Sequence, residues 1–135
     1  MDCRDFDPQL CIVQLTDFHF KELQGNYQKR VDDILVTIKK SIKSGTVLLL
    51  VTGDVARTGK ESEYQSAAMF FDYLIEQLNQ PEYQLKVYIL PGNHDLHGPC
   101  KSIEYFSGEQ YDLDLDYMAS FYEFASKYNN EFVLP

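Results

Sequence analysis

The sequence predicts an α/β fold in which a βαβαβ run builds a parallel sheet. Three observations predict it. Short apolar, β-prone runs recur at residues 11–16, 47–52 and 86–90. Amphipathic helical patterns fill both intervals, which demands crossover connections and parallel neighbours. Every run stops at a polar cluster, so three clusters converge on one sheet edge, where ligands of α/β sheets bind.

Residues 1–10 hold no periodic pattern, and Pro8 opposes a helix there. Cys11 to Thr16 suits a buried strand and ends at Asp17-Phe18-His19. After a loop containing Gly25, Tyr27 to Ile42 reads as a helix. Val31, Ile34, Leu35, Ile38 and Ile42 recur at the 3.6-residue period, and Asp32 and Asp33 fall on the solvated side. Lys39, Lys40 and Lys43 suit its negative pole, and Gly45 is the expected stop. Val47 to Thr52 is apolar at successive positions, as in a strand covered on both faces, and ends at Gly53-Asp54. A second helix spans roughly Ser62 to Asn79, with Tyr64, Ala67, Ala68, Phe71, Leu74, Ile75 and Leu78 inward; Thr58 and Glu61 have capping-box spacing. Lys86 to Leu90 is the third strand and ends at Pro91-Gly92-Asn93-His94-Asp95. Asp112, Asp114 and Asp116 lack the glycine and closing glutamate of a calcium loop and read as an acidic helix start. That helix runs to about Tyr128 with Leu115, Met118, Ala119, Tyr122 and Ala125 inward, and Phe132 to Pro135 opens another strand.

Composition narrows the function classes. A chain of 135 residues with 44% hydrophobic residues fits one globular core. A formal charge of −9, with scattered Lys and Arg, argues against a nucleic-acid surface made by this segment alone. Phosphate esters remain open as substrates, because bound metal ions supply local positive charge. Three widely spaced cysteines, Cys3, Cys11 and Cys100, make no disulfide framework and point to a reducing, cytoplasmic compartment. The acidic N-terminus lacks a signal-peptide pattern, and no apolar run approaches about 18 residues, so no membrane partner is expected.

The strand-end clusters suit two-metal chemistry. Two cations about 3.5–4 Å apart lower the pKa of a bridging water and neutralise phosphoryl oxygens. Such a pair needs oxygen ligands, imidazole and one carboxylate able to bridge. Asp17 and His19 lie two apart where the chain leaves the sheet, Asp54 comes from the next strand end, and Asn93 offers a neutral amide oxygen. Gly53 and Gly92 let the backbone turn tightly there.

Asp17-x-His19, Gly53-Asp54 and Gly92-Asn93-His94-Asp95 resemble the first three blocks of the calcineurin-like metallophosphoesterase family, over most of residues 11–96. The spacing is 37 residues from Asp17 to Asp54 and 39 from Asp54 to Asn93. Gly-Asn-His-Asp after an apolar strand is the specific element. The resemblance implies a four-layer αββα sandwich, with this chain supplying its βαβαβ half. It also implies that Asp17 and His19 bind a first metal ion, that Asp54 bridges and that Asn93 binds a second. The ions would be Mn²⁺, Fe²⁺/Fe³⁺ or Zn²⁺. By the same resemblance His94 is no ligand but meets the phosphate as a catalytic group, and Asp95 orients it through a ring N–H. Arg57 departs from the Asp or Asn frequent near that position; Arg57 and His97 are candidates for substrate contact, set against surface roles.

The family pattern continues with a histidine and a Gly-His-x-His block, which would complete both metal sites. This chain has three histidines, none after residue 97. The expectation is therefore a partial domain over residues 1–135, a fragment of a longer enzyme or one half of a fold that another chain completes. Its second metal site is incomplete and its activity alone weak or absent. The implied substrate is a phosphate mono- or diester: a small molecule, a nucleotide or a nucleic acid. The alternative is a degenerate domain serving as an interaction scaffold or sensor without catalysis.

Overall fold

The computed structural model describes residues 9–22, 25–95 and 115–128. The order is β1 (Leu10–Leu15), α1 (Tyr27–Ser41), β2 (Gly45–Thr52), α2 (Glu61–Leu78), β3 (Tyr83–Leu90), a 3-10 turn (Asn93–Asp95) and α3 (Leu115–Ser126). The strands form one sheet of order β1-β2-β3, parallel throughout. Val13 pairs with Leu49, and Leu49 with Val87, so the three C-terminal strand ends align. The α/β class and the βαβαβ order are as the sequence predicts.

Consecutive right-handed crossovers put α1 and α2 on the same face. Val31, Leu35, Ile38 and Ile42 pack there with Tyr64, Ala67, Phe70, Phe71, Leu74 and Leu78, over Val47, Leu49, Val51, Val87 and Ile89. Both expected helical stripes are thus inward, and Asp32 and Asp33 are exposed. The β2 expectation needs correction. Val47, Leu49 and Val51 are fully buried, whereas Leu48 and Leu50 are only half-buried, because the described residues cover one face of the sheet. On the other face Leu10, Ile12 and Leu90 are 56%, 58% and 49% exposed.

Three local expectations also shift. Gly45 does not stop α1; Ile42, extended, does. Gly45 instead opens β2 at φ 123°, where any Cβ would strike the backbone of Gln9. At the start of α2 the reaching-back carboxylate is Glu63, not Glu61, and it accepts from the Lys60 N–H at 3.0 Å. On α3 Ala125 is buried and Tyr122 half-buried as expected, but Ala119 faces solvent. Phe121, Phe124 and Tyr128 are the buried residues instead, since aromatic rings bury the most area and stack on Tyr64 and Phe71. The side chains of Leu115 and Met118, the Asp112 and Asp114 positions, Cys3, Cys100 and the strand expected at residues 132–135 lie outside the described residues. No described helix is long and apolar enough to cross a membrane.

Candidate metal centre

The site is built by the segments that leave the three strands. After β1 the side chains alternate. Phe18 and Phe20 turn inward, with ring centroids 5.2 Å apart and 5.1 and 5.5 Å from Phe70. Asp17, 60% exposed, and His19 between and beside them turn outward. The segment is stitched to the one after β2: Asp17 N–H donates to Gly53 O at 3.2 Å, His19 N–H to Asp54 O at 3.0 Å, and Phe20 N–H to Val55 O at 2.8 Å. Arg57 N–H returns a bond to Phe20 O at 3.1 Å.

Asp17, His19 and Asp54 all hold left-handed backbone, with φ of 57°, 50° and 53°. For residues with a Cβ this conformation costs about 1–2 kcal/mol each. Such outliers persist where the surroundings dictate them, and they gather at functional sites. Three of the four described left-handed non-glycine residues are expected metal ligands.

The side chains converge. His19, Asp54 and His94 each present a ligand atom, all within 4.8 Å of one another. The rings of His19 and His94 meet edge to face at 4.7 Å. Asp17 adds a carboxylate oxygen 3.7 Å from His19 Nε2, and its other oxygen accepts from Thr16 Oγ1 at 2.9 Å. Asp54 Oδ1 accepts from the His94 backbone N–H at 2.9 Å. Gly92 is what allows this closeness, because a Cβ there would fall on the Asp54 carboxylate and backbone nitrogen. Asn93 opens the 3-10 turn beside His94 and is exposed. The donor set, imidazole nitrogen plus carboxylate oxygen on half-buried residues, fits a first-row divalent ion.

One expected contact differs. His94 Nδ1 lies 2.9 Å from the carbonyl oxygen of Arg57, not against Asp95. A carbonyl only accepts, so Nδ1 is the donor in this contact and Nε2 is left to face the site. Arg57 thus meets His94 through its backbone carbonyl, and its side chain is exposed and open to solvent. Asp95 is fully buried and turned away from the His94 ring. Its Oδ2 accepts from Gly92 N–H at 2.7 Å and Val55 N–H at 3.4 Å. Its Oδ1 accepts from Ala56 N–H at 3.0 Å and Tyr64 O–H at 2.8 Å. Burial pushes the Asp95 carboxyl above its ordinary value, while the bonds from Ala56, Gly92, Tyr64 and Val55 pull the other way. All four partners donate, which suits the ionised form. Burial and the Asp95 charge push the Tyr64 hydroxyl up, so it stays a donor.

Tyr64, expected in the buried stripe of α2, also serves the site, as does Glu63, for which the sequence carries no expected role. Glu63 Oε1 gathers Thr58 N–H at 2.9 Å, Thr58 O–H at 2.8 Å and Lys60 N–H at 3.0 Å, fixing the far end of the segment that begins at Asp54. The one sequence signal for it was its place three residues after Lys60. His97 lies outside the described residues.

No curated protein and no solved structure matches the chain. The family model for calcineurin-like phosphoesterase matches residues 11–134, well past the 11–96 that carried the resemblance. With that match over most of its length, and a His/Asp/His group at the ends of three parallel strands, the chain belongs to the calcineurin-like phosphoesterase family.

Proposed function

We propose that this chain forms one side of a two-metal centre that hydrolyses phosphate mono- or diesters. The observation that carries the reading is that His19 and Asp54, the ligands, and His94, the catalytic group, bring one polar atom each within 4.8 Å of one another at consecutive strand ends. Asp17 and His19 would hold the first ion, Asp54 both ions and Asn93 the second. Mn²⁺, Fe²⁺/Fe³⁺ or Zn²⁺, when bound, would supply positive charge and lower the pKa of a water. His94 would stay off the ions: with Nδ1 committed to Arg57 O, Nε2 is the nitrogen left to meet the phosphoryl group, and in the protonated ring it would give its proton to the departing ester oxygen and return to the neutral form. Asp95 acts through the backbone rather than on substrate.

Among the described residues the second ion would have fewer ligands than the first, which supports weak turnover by the chain alone. The open apolar face around Leu10, Ile12 and Leu90 supports the same reading, in which further sheet or another chain covers it. The compartment in this reading is the cytoplasm, supported by the free, half-buried thiol of Cys11.

The test has two parts. Calorimetric titration with Mn²⁺ should show binding that His19→Ala and Asp54→Ala each weaken by at least about tenfold. Hydrolysis of bis(4-nitrophenyl) phosphate should be slow, dependent on Mn²⁺, and lost in Asp54→Ala. Absence of binding to Mn²⁺, Zn²⁺ and Fe²⁺ alike would sink the proposal.

A further inference from the structure

We propose that Tyr64 is a positioning residue of the metal centre: through Asp95, its hydroxyl fixes the turn that carries Asp54 against the turn that carries His94. The proposal rests on the metal-centre reading above. Asp95 joins three pieces of chain at one carboxylate. Val55 and Ala56 belong to the segment just after Asp54, Gly92 belongs to the turn that ends in His94, and Tyr64 belongs to α2. Each oxygen pairs one donor from the Asp54 segment with one from elsewhere. Tyr64 contributes the sole side-chain donor among these four.

The tyrosine is itself held firmly. Its residue is 3% exposed. Its ring stacks on Phe124 of α3 at 5.2 Å and 28°, and meets Phe121 edge-on at 6.2 Å. Its neighbour Glu63 ties down Thr58 and Lys60. The first turn of α2 thus grips both ends of the segment from Asp54 to Lys60, Glu63 directly and Tyr64 through Asp95. Removing the hydroxyl releases the start of that segment, where Asp54 sits in left-handed backbone that its surroundings must impose.

Tyr128 supplies a matched control. It is also a buried aromatic, 9% exposed, its ring tilted against Phe124 at 5.1 Å, with its hydroxyl donating to Asp72 at 2.7 Å. Its carboxylate partner lies on α2, apart from the site. Tyr64→Phe and Tyr128→Phe therefore delete the same kind of bond.

Mn²⁺ affinity is measured by calorimetry for wild type and both variants, with Tm read alongside. Tyr64→Phe should weaken Mn²⁺ about tenfold, the low end for an outer partner of a metal site. Tyr128→Phe should stay within about twofold, as independent sites do, while its Tm falls comparably. Equal affinities in wild type and Tyr64→Phe, or an equal loss in Tyr128→Phe, overturn the proposal and leave the metal centre standing. Unfolding of Tyr64→Phe alone would make the hydroxyl a stability residue and also overturn it. A wild type that binds no Mn²⁺ removes the metal-centre reading and this proposal together.

Discussion

Asp95→Asn isolates the carboxylate that holds the centre together. The change is isosteric, so its cost is one of hydrogen bonding rather than packing. An asparagine has one acceptor oxygen where the carboxylate had two. If that oxygen takes the Oδ1 place, it keeps Ala56 N–H and Tyr64 O–H, and the amide NH₂ faces Gly92 N–H across what was 2.7 Å. If it takes the Oδ2 place, Gly92 is kept and the Ala56 N–H, 3.0 Å away, meets the NH₂. Either way one short backbone donor is left unpaired in a fully buried site. An unpaired buried donor costs about 1–3 kcal/mol, and the remaining bonds lose their charge-assisted part, so the total is about 2–4 kcal/mol. Relief of the charge burial that raises the Asp95 pKa offsets some of this, which favours the lower half of the range. Against a typical total of about 5–15 kcal/mol that is a large fraction. Urea unfolding followed by circular dichroism measures it directly. A midpoint shift equivalent to less than about 0.5 kcal/mol, the usual scatter for neutral surface changes, would refute the claim that these four bonds are made together.

Gly92→Ala places a methyl on the Asp54 carboxylate; overpacking of this kind costs about 1–3 kcal/mol, and the shift it forces should abolish Mn²⁺ binding in the same titration. Asp17→Gly should do the reverse for stability: it relieves left-handed backbone at φ 57° in an exposed residue, so thermal melts should show a gain of up to about 1 kcal/mol while Mn²⁺ affinity falls. Glu63 sets an acid limb. Burial raises its carboxyl, but bonds from Lys60 and Thr58 outweigh that and hold it below its ordinary 4.5. The stability it adds is therefore fully present above pH 4.5 and is lost as pH falls through the lower folded value. Urea midpoints between pH 3 and pH 6 should fall less steeply for Glu63→Gln than for wild type; parallel curves would contradict the assignment.

Periodicity was enough to place β1, α1, β2, α2 and β3, because each buries one stripe against the same core and a local pattern reports that stripe. The pattern also suffices to put Asp17, His19, Asp54 and His94 on one edge, since parallel strands in register have nowhere else to end. It fails where partners are chosen by space rather than by sequence. On α3 two stripes compete, and the one with Phe121 and Phe124 wins because an aromatic layer already waits on α2. β2 reads as doubly covered from its leucines alone, and no local signal reports what lies across the sheet.

The site repeats that lesson at the scale of one turn. Asp95 follows His94 directly, and the family resemblance implies that the carboxylate orients the ring. Asn93–Asp95 is a 3-10 turn, in which successive side chains diverge by roughly 120°. His94 on the outer side meets His19 and the Arg57 carbonyl. Asp95 on the inner side meets the backbone beneath. One turn thus divides two tasks between neighbouring residues. His94 faces the cleft, and Asp95 fixes the floor from which Asp54 rises. The two are coupled all the same, because the His94 N–H bonds Asp54 Oδ1 while Asp95 binds the two residues that follow Asp54. A substitution at Asp95 is therefore expected to act on metal affinity through the placement of Asp54, with the orientation of the His94 ring left as its bond to the Arg57 carbonyl sets it.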